Sequence, residues 1–153
     1  MSNTYTQFHH QYVFAPKYRA AVIPPEWEVE LYKYITGIVQ NNKHKMLCIN
    51  GMPDHLHLLI GFHTTQSSAD FMQDVKSGSS KWINDKKLTK SRFEWQGGYG
   101  GFSYAKSQVP NLIKYIQNQK QHHQKESFLT EYRNLLTEFE IEYKEEYIFK
   151  GLI

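Results

Sequence analysis

The run Pro53-Asp54-His55-Leu56-His57-Leu58-Leu59-Ile60 constrains the fold more than any other stretch of this 153-residue chain. On a β-strand, residues i and i+2 point to the same face. Leu56, Leu58 and Ile60 then enter a core, while His55 and His57 hold their imidazoles side by side on the other face. Two neutral imidazoles at fixed separation are half of a divalent-metal site. A histidine pair at this spacing is common, however, and partly buried, hydrogen-bonded imidazoles explain it equally well. Most metals also need at least one more protein ligand.

The elements on either side fix the fold class. Residues 4–14 read as a strand with Phe8, Tyr12 and Phe14 on one face, ended by Pro16. Pro24-Pro25 opens a helix to about Asn42, with Trp27, Leu31, Tyr34, Ile35, Ile38 and Val39 inward. Lys45–Asn50 is a short strand, joined by the turn residues Asn50 to Asp54 to the strand His55–Phe62, so the two form a hairpin. Ser67 with Asp70 predicts a capped helix from Ser68 to Asp85. Gly97 to Gly101 reads as a flexible connection, Phe102–Lys106 as a final strand, and Ser107 as the cap of the next helix. Phe128, Leu129, Tyr132, Leu135, Leu136 and Phe139 recur at helical spacing, and an acidic, semi-extended end follows. The order β-α-β-β-α-β predicts an α+β, ferredoxin-like (RRM-like) antiparallel sheet with helices on one face. A further C-terminal helix and a helical tail follow it. That layout alone does not settle function.

The helix after Ser107 carries the second informative segment. Val109, Leu112, Ile113 and Ile116 make its apolar stripe. Tyr115 and Gln119 are four apart and share a flank at the edge of that stripe, with His122 one turn further on. Gln119 can offer a neutral oxygen to a metal held by the histidine pair, and His122 and Asp54 are alternative third ligands. A site of nitrogen and oxygen ligands with open positions suits metal-assisted phosphoryl chemistry. Tyr115 is one of eleven tyrosines, and amphipathic packing is the plainer explanation for any one of them. Its place beside a candidate ligand is what singles it out. A free phenol has a pKa near 10 and is a poor nucleophile until a cation or base helps it ionise.

Composition sets the bounds. A chain of this length forms most simply one domain with one core. The single cysteine, Cys48, lies in an apolar run and cannot form an internal disulfide, which fits a reducing compartment. The N-terminus has no signal-peptide pattern and no apolar run is long enough to span a membrane, so a cytoplasmic protein with no membrane partner is expected. The net charge of +3 hides an asymmetry: residues 1–125 hold 15 Lys and Arg against 8 Asp and Glu, and residues 126–153 hold 3 against 7. Lys17 and Arg19, and the cluster Lys86, Lys87, Lys90 and Arg92, are candidate contacts for a polyanionic strand, with the many aromatic residues available for base stacking. From charge alone, a solvated surface explains them as well. The acidic tail could shield such a face.

Taken together, Met52-Pro53-Asp54-His55-Leu56-His57-Leu58-Leu59 and Tyr115-Ile116-Gln117-Asn118-Gln119 resemble the single-tyrosine HUH (His-hydrophobic-His) transposases. These belong to small insertion sequences that move as single-stranded DNA, and they have relatives associated with repetitive palindromes. The resemblance covers most of residues 4–125, including Lys17-Tyr18-Arg19. It implies that residues 1–125 are a single-strand DNA transesterase domain; residues 126–153 match no motif of that family and are expected to be a helical and acidic extension packed on it. It also implies that His55, His57 and Gln119 hold Mg²⁺ or Mn²⁺, and that Tyr115 attacks a phosphodiester to leave a 5′-phosphotyrosine. The stored bond makes a nucleotide cofactor unnecessary. DNA hairpins at element ends and a second copy of the chain are the implied partners, and in several family members the tyrosine helix completes the partner's site. Two other functions fit the same residues. One is a non-catalytic nucleic-acid-binding module on this fold. The other is a domesticated or plasmid-type nicking enzyme with the same chemistry.

Overall fold

Strand order places the histidine strand inside the sheet rather than at its edge. The computed structural model describes residues 3–17, 22–124 and 126–148. Four antiparallel strands run in the order β2-β3-β1-β4, with β1 Phe8–Phe14, β2 Lys45–Met52, β3 His55–Phe62 and β4 Gly100–Tyr104. Every residue of β3 from His55 to Ile60 is buried. Both faces of the sheet are therefore covered, and they are covered by different helices.

Helices α1 (Pro25–Asn41) and α2 (Ser68–Asp85) cover the first face. Pro25 starts α1 where its missing N–H costs nothing, and Glu26 and Glu28 favour that positive helix end. Ser67 caps α2 by accepting from the Asp70 amide at 3.0 Å. Leu31, Ile35 and Val39 of α1 and Phe71, Met72, Val75 and Ile83 of α2 meet Tyr12, Phe14, Leu56, Leu58 and Ile60 of the sheet. The one polar side chain that α2 buries, Ser79, donates to the Val75 carbonyl at 2.6 Å and accepts from Trp95 Nε1 at 2.9 Å, so nothing there is left unpaired.

Three helices cover the second face: α3 (Val109–Gln117), α4 (Gln119–His122) and α5 (Phe128–Glu138). Leu112 and Ile116 of α3 pack on Cys48 and Leu59. Phe128, Tyr132, Leu135 and Leu136 of α5 pack on Val13, Ala15 and Phe102. The docking of α5 is close: a Cβ on Gly100 would lie 2.6 Å from Cε1 of Tyr132. Among the described residues, no helix is long and apolar enough to cross a membrane.

Four expectations need correction. The first strand begins at Phe8, not at residue 4. β4 starts at Gly100, so Gly100 and Gly101 are sheet residues, Gly101 lying against the Tyr12 ring. Ser107 caps no helix, because it lies in a 3₁₀ turn, Lys106–Gln108, that leads into α3. The tyrosine helix is also not continuous to His122: it ends at Gln117 and restarts at Gln119. Asn50 of β2 accounts for the break, since its Nδ2 donates to the Ile116 and Gln117 carbonyls at 2.9 and 3.1 Å and satisfies the end of α3.

Candidate metal and tyrosine site

The alternation of β3 sends His55 and His57 to the face covered by α3, α4 and α5, with ring centroids 5.2 Å apart. Both are fully buried, and so is Gln119. Each imidazole is oriented through Nδ1. His55 Nδ1 lies 2.7 Å from Asp54 Oδ1, and His57 Nδ1 lies 2.7 Å from Gln11 Oε1. Both partners are acceptors, so each Nδ1 carries the hydrogen and each Nε2 faces the interior of the site. Gln11 is held in turn by donating to the Tyr104 hydroxyl at 2.7 Å. Phe128 of α5 stacks on the His55 ring at 4.1 Å, with 12° between the planes.

Gln119 comes to this centre as the sequence suggests. Its Oε1 lies 3.0 Å from His55 Nε2. The Tyr115 ring lies 6.0 Å from that of His57 within one chain, and the ring is partly exposed. A cavity of about 490 Å³ runs up to Tyr115 between β4, α3 and α5, and Gln11, Asn111, His122 and Glu131 are among the residues that line it. Tyr115 and Glu131 line that cavity, while His55 and His57 are fully buried. Asp54 acts on the outer nitrogen of His55 rather than facing the interior. His122 stands 3.5 Å from the Tyr115 hydroxyl, on the tyrosine side.

The residue that sequence reasoning missed is Glu131, at the centre of the site. It is 2% exposed. Its Oε1 lies 3.0 Å from His57 Nε2, 3.5 Å from His55 Nε2 and 3.0 Å from His123 Nε2. Its Oε2 accepts from Gln119 Nε2 at 2.9 Å and from the Tyr115 hydroxyl. Glu131 lies in the first turn of α5, where the helix dipole favours an anion. Gln11 and His123 were also missed.

The electrostatics follow from this packing. Burial alone would raise the Glu131 carboxyl, but hydrogen bonds from His123, His55 and His57 hold it well below the carboxylate range. Burial lowers His55, yet Asp54 and Glu131 together outweigh it and raise its pKa. Burial dominates at His57 and lowers it. Burial first and the Glu131 charge second push the Tyr115 phenol far up, so the hydroxyl keeps its proton in this arrangement.

The candidate DNA contacts are not gathered here. Lys86, Lys87, Lys90 and Arg92 are exposed and follow α2, which packs on the opposite face of the sheet. Lys86 lies over the Trp82 ring at 5.7 Å, and Lys17 pairs with Glu94 at 3.1 Å. Lys17 and Arg92 line a cavity of about 840 Å³ with Trp95 and Tyr99. Arg19 and Tyr18 lie outside the described residues. In the acidic tail, Glu145 pairs with Arg133 of the same segment at 2.6 Å.

A family model for IS200-like transposases matches residues 4–119. The chain is 25% identical over 118 residues to the ISDra2 transposase TnpA of Deinococcus radiodurans, covering 74% of this chain and 84% of that protein. The crystal structure of a candidate transposase from Deinococcus radiodurans R1 has the same fold, with a TM-score of 0.64 at 22% identity, over 78% of this chain and 95% of that one. The REP-associated tyrosine transposase bound to a REP hairpin also shares the fold. Its TM-score is 0.58 at 12% identity, over 80% of this chain and 74% of that one.

Proposed function

Because the chain belongs to the IS200-like transposase family and is a DNA strand transferase, we propose that it cleaves and rejoins single-stranded DNA through a 5′-phosphotyrosine at Tyr115. The observation that carries this reading is the meeting of the Tyr115 hydroxyl, both imidazole Nε2 atoms and Gln119 Oε1 around one buried centre. The donor set fits a divalent cation. Both Nδ1 hydrogens are already spent on Asp54 and Gln11, which leaves two inward-facing Nε2 atoms beside oxygen donors. His55, His57 and Gln119 hold Mg²⁺ or Mn²⁺ in this reading. The bound ion supplies positive charge that polarises a phosphoryl oxygen and helps the phenol ionise.

The chain's own residues do the rest. The phenol oxygen of Tyr115 attacks phosphorus, the tyrosine O–P bond forms and the P–O3′ bond breaks. The 3′-oxygen leaves and takes up a proton as the phenol loses one. Asp54 and Gln11 keep the imidazoles turned inward throughout, and the Asn50 bonds at the end of α3 fix where Tyr115 stands relative to them. Hairpins near element ends are the proposed substrate, as the hairpin-bound structural relative suggests. Lys17, Arg19, Lys86, Lys87, Lys90 and Arg92 are proposed to hold phosphates along the strand, and the chain is proposed to act as a homodimer. Within one chain the Tyr115 ring lies 6.0 Å from that of His57, which supports a tyrosine acting in its own subunit.

Covalent capture tests the reading. A hairpin-bearing single-stranded oligonucleotide is incubated with the protein and Mn²⁺ and run on a denaturing gel. An adduct that disappears with chelator and in Tyr115→Phe is expected. Tight binding without an adduct would make the protein a binding module instead.

A further inference from the structure

The family match ends at residue 119, and Glu131 lies 12 residues beyond Gln119 on a helix of its own. Its carboxylate nevertheless sits between the two imidazoles. With each Nδ1 turned to Asp54 or Gln11, each Nε2 is the ring atom that faces the carboxylate. Both Nε2 atoms lie against one carboxylate oxygen, at 3.0 and 3.5 Å, and all three side chains are buried. A dication that takes the place of the protons between them would be held by all three at once. Adjacent donors that sit about 2.1 Å from one octahedral ion lie roughly 3 Å apart. The His57–Glu131 pair and the His55–Gln119 pair are both at 3.0 Å. The donor atoms of His55, His57 and Glu131 all lie within 4.8 Å of one another.

We propose that Glu131 is a metal ligand of this chain, contributing Oε1 beside His55 and His57. This rests on the metal-dependent reading above and adds to it an anionic ligand supplied by α5. His123 donates to the same oxygen at 3.0 Å and steadies it. The second oxygen, Oε2, accepts from Gln119 and from Tyr115, so one carboxylate joins the cation to the nucleophile. A negative ligand also binds a hard dication more strongly than amide oxygen alone. The C-terminal extension is in this view a working part of the centre.

The test is Mn²⁺ binding to the full chain without DNA, read from the loss of the free-ion electron paramagnetic resonance signal. Wild type binds, and His55→Ala loses binding. Glu131→Gln keeps the size but loses the charge and one acceptor oxygen, and it weakens Mn²⁺ by about tenfold or more. Wild-type-like or tighter binding by Glu131→Gln, with His55→Ala still defective, overturns the role of Glu131 and leaves the histidine site standing. No Mn²⁺ binding by wild type overturns both. Should Glu131→Gln fail to fold by circular dichroism, wild-type crystals soaked in Mn²⁺ decide. An anomalous peak in bonding contact with Glu131 supports the proposal, and a peak on the histidines away from Glu131 ends it.

Discussion

The two faces of one sheet divide the labour of this protein. Strand β3 contributes to both. Its even-numbered residues Leu56, Leu58 and Ile60 enter a core of aliphatic and aromatic side chains under α1 and α2. Its odd-numbered residues His55 and His57 enter an equally buried space that holds Gln11, Gln119 and Glu131. Burial is the same on both faces, but its physical meaning is opposite. On the first face it removes apolar surface from water and stabilises the fold. On the second it strips water from polar groups, which then depend on one another for partners and carry shifted proton affinities. Equal burial is therefore no guide to role; the chemistry of what is buried is.

This contrast can be broken by substitution. The largest effect expected is from Tyr115→Phe, which removes one hydroxyl from the polar face. Covalent adduct formation should fall to background while the melting temperature stays close to wild type, because Glu131 keeps its other partners. A large loss of stability would mean that the polar face also carries the fold. Leu58→Ala on the apolar face should do the reverse, costing about 2–5 kcal/mol in denaturant unfolding. Cleavage per folded molecule should then remain near wild type at low temperature.

Smaller effects sharpen the contrast. Gln11→Leu should leave the fold intact but release His57 Nδ1, lowering Mn²⁺ affinity roughly 10–100-fold by titration. Gly100→Ala should push against Tyr132 and cost about 1–3 kcal/mol. It should also weaken Mn²⁺ binding, since α5 carries both the stacking Phe128 and Glu131. Replacing Lys86, Lys87 and Lys90 together by alanine should change neither stability nor metal binding. It should weaken single-strand binding and reduce the salt slope by about 0.7 for each phosphate that no longer meets a lysine. An unchanged slope would put the DNA elsewhere.

The apolar face was legible in the sequence because its signals are local. The period-two leucines of β3, the proline start of α1 and the Ser67 cap all act within a few residues, and α2 begins and ends where its pattern says. The polar face was legible only in part. His55 and His57 stand out against the leucines, and the Tyr115–Gln119 spacing survives the break at Asn118, because both side chains still reach Glu131. Glu131 itself was hidden among seven acidic residues of the tail. A signal existed: it falls three residues after Phe128 and four before Leu135, so it lies on the buried stripe of α5, where a charge needs a partner. Gln11 left a similar trace, a polar side chain facing the same way as Val13 in the midst of a buried strand. What the sequence does not contain is which distant polar group each would meet, since that depends on how α5 docks across β1 and β4.

Peptide mapping of the covalent adduct tests the central claim most directly. The protein is reacted with a hairpin-bearing single strand in Mn²⁺, digested with nuclease and protease, and analysed by mass spectrometry. The account predicts a nucleotide phosphate on the peptide that contains Tyr115 and on no other. A nucleotide attached to a different residue, or an adduct that forms equally well in His55→Ala, would contradict it.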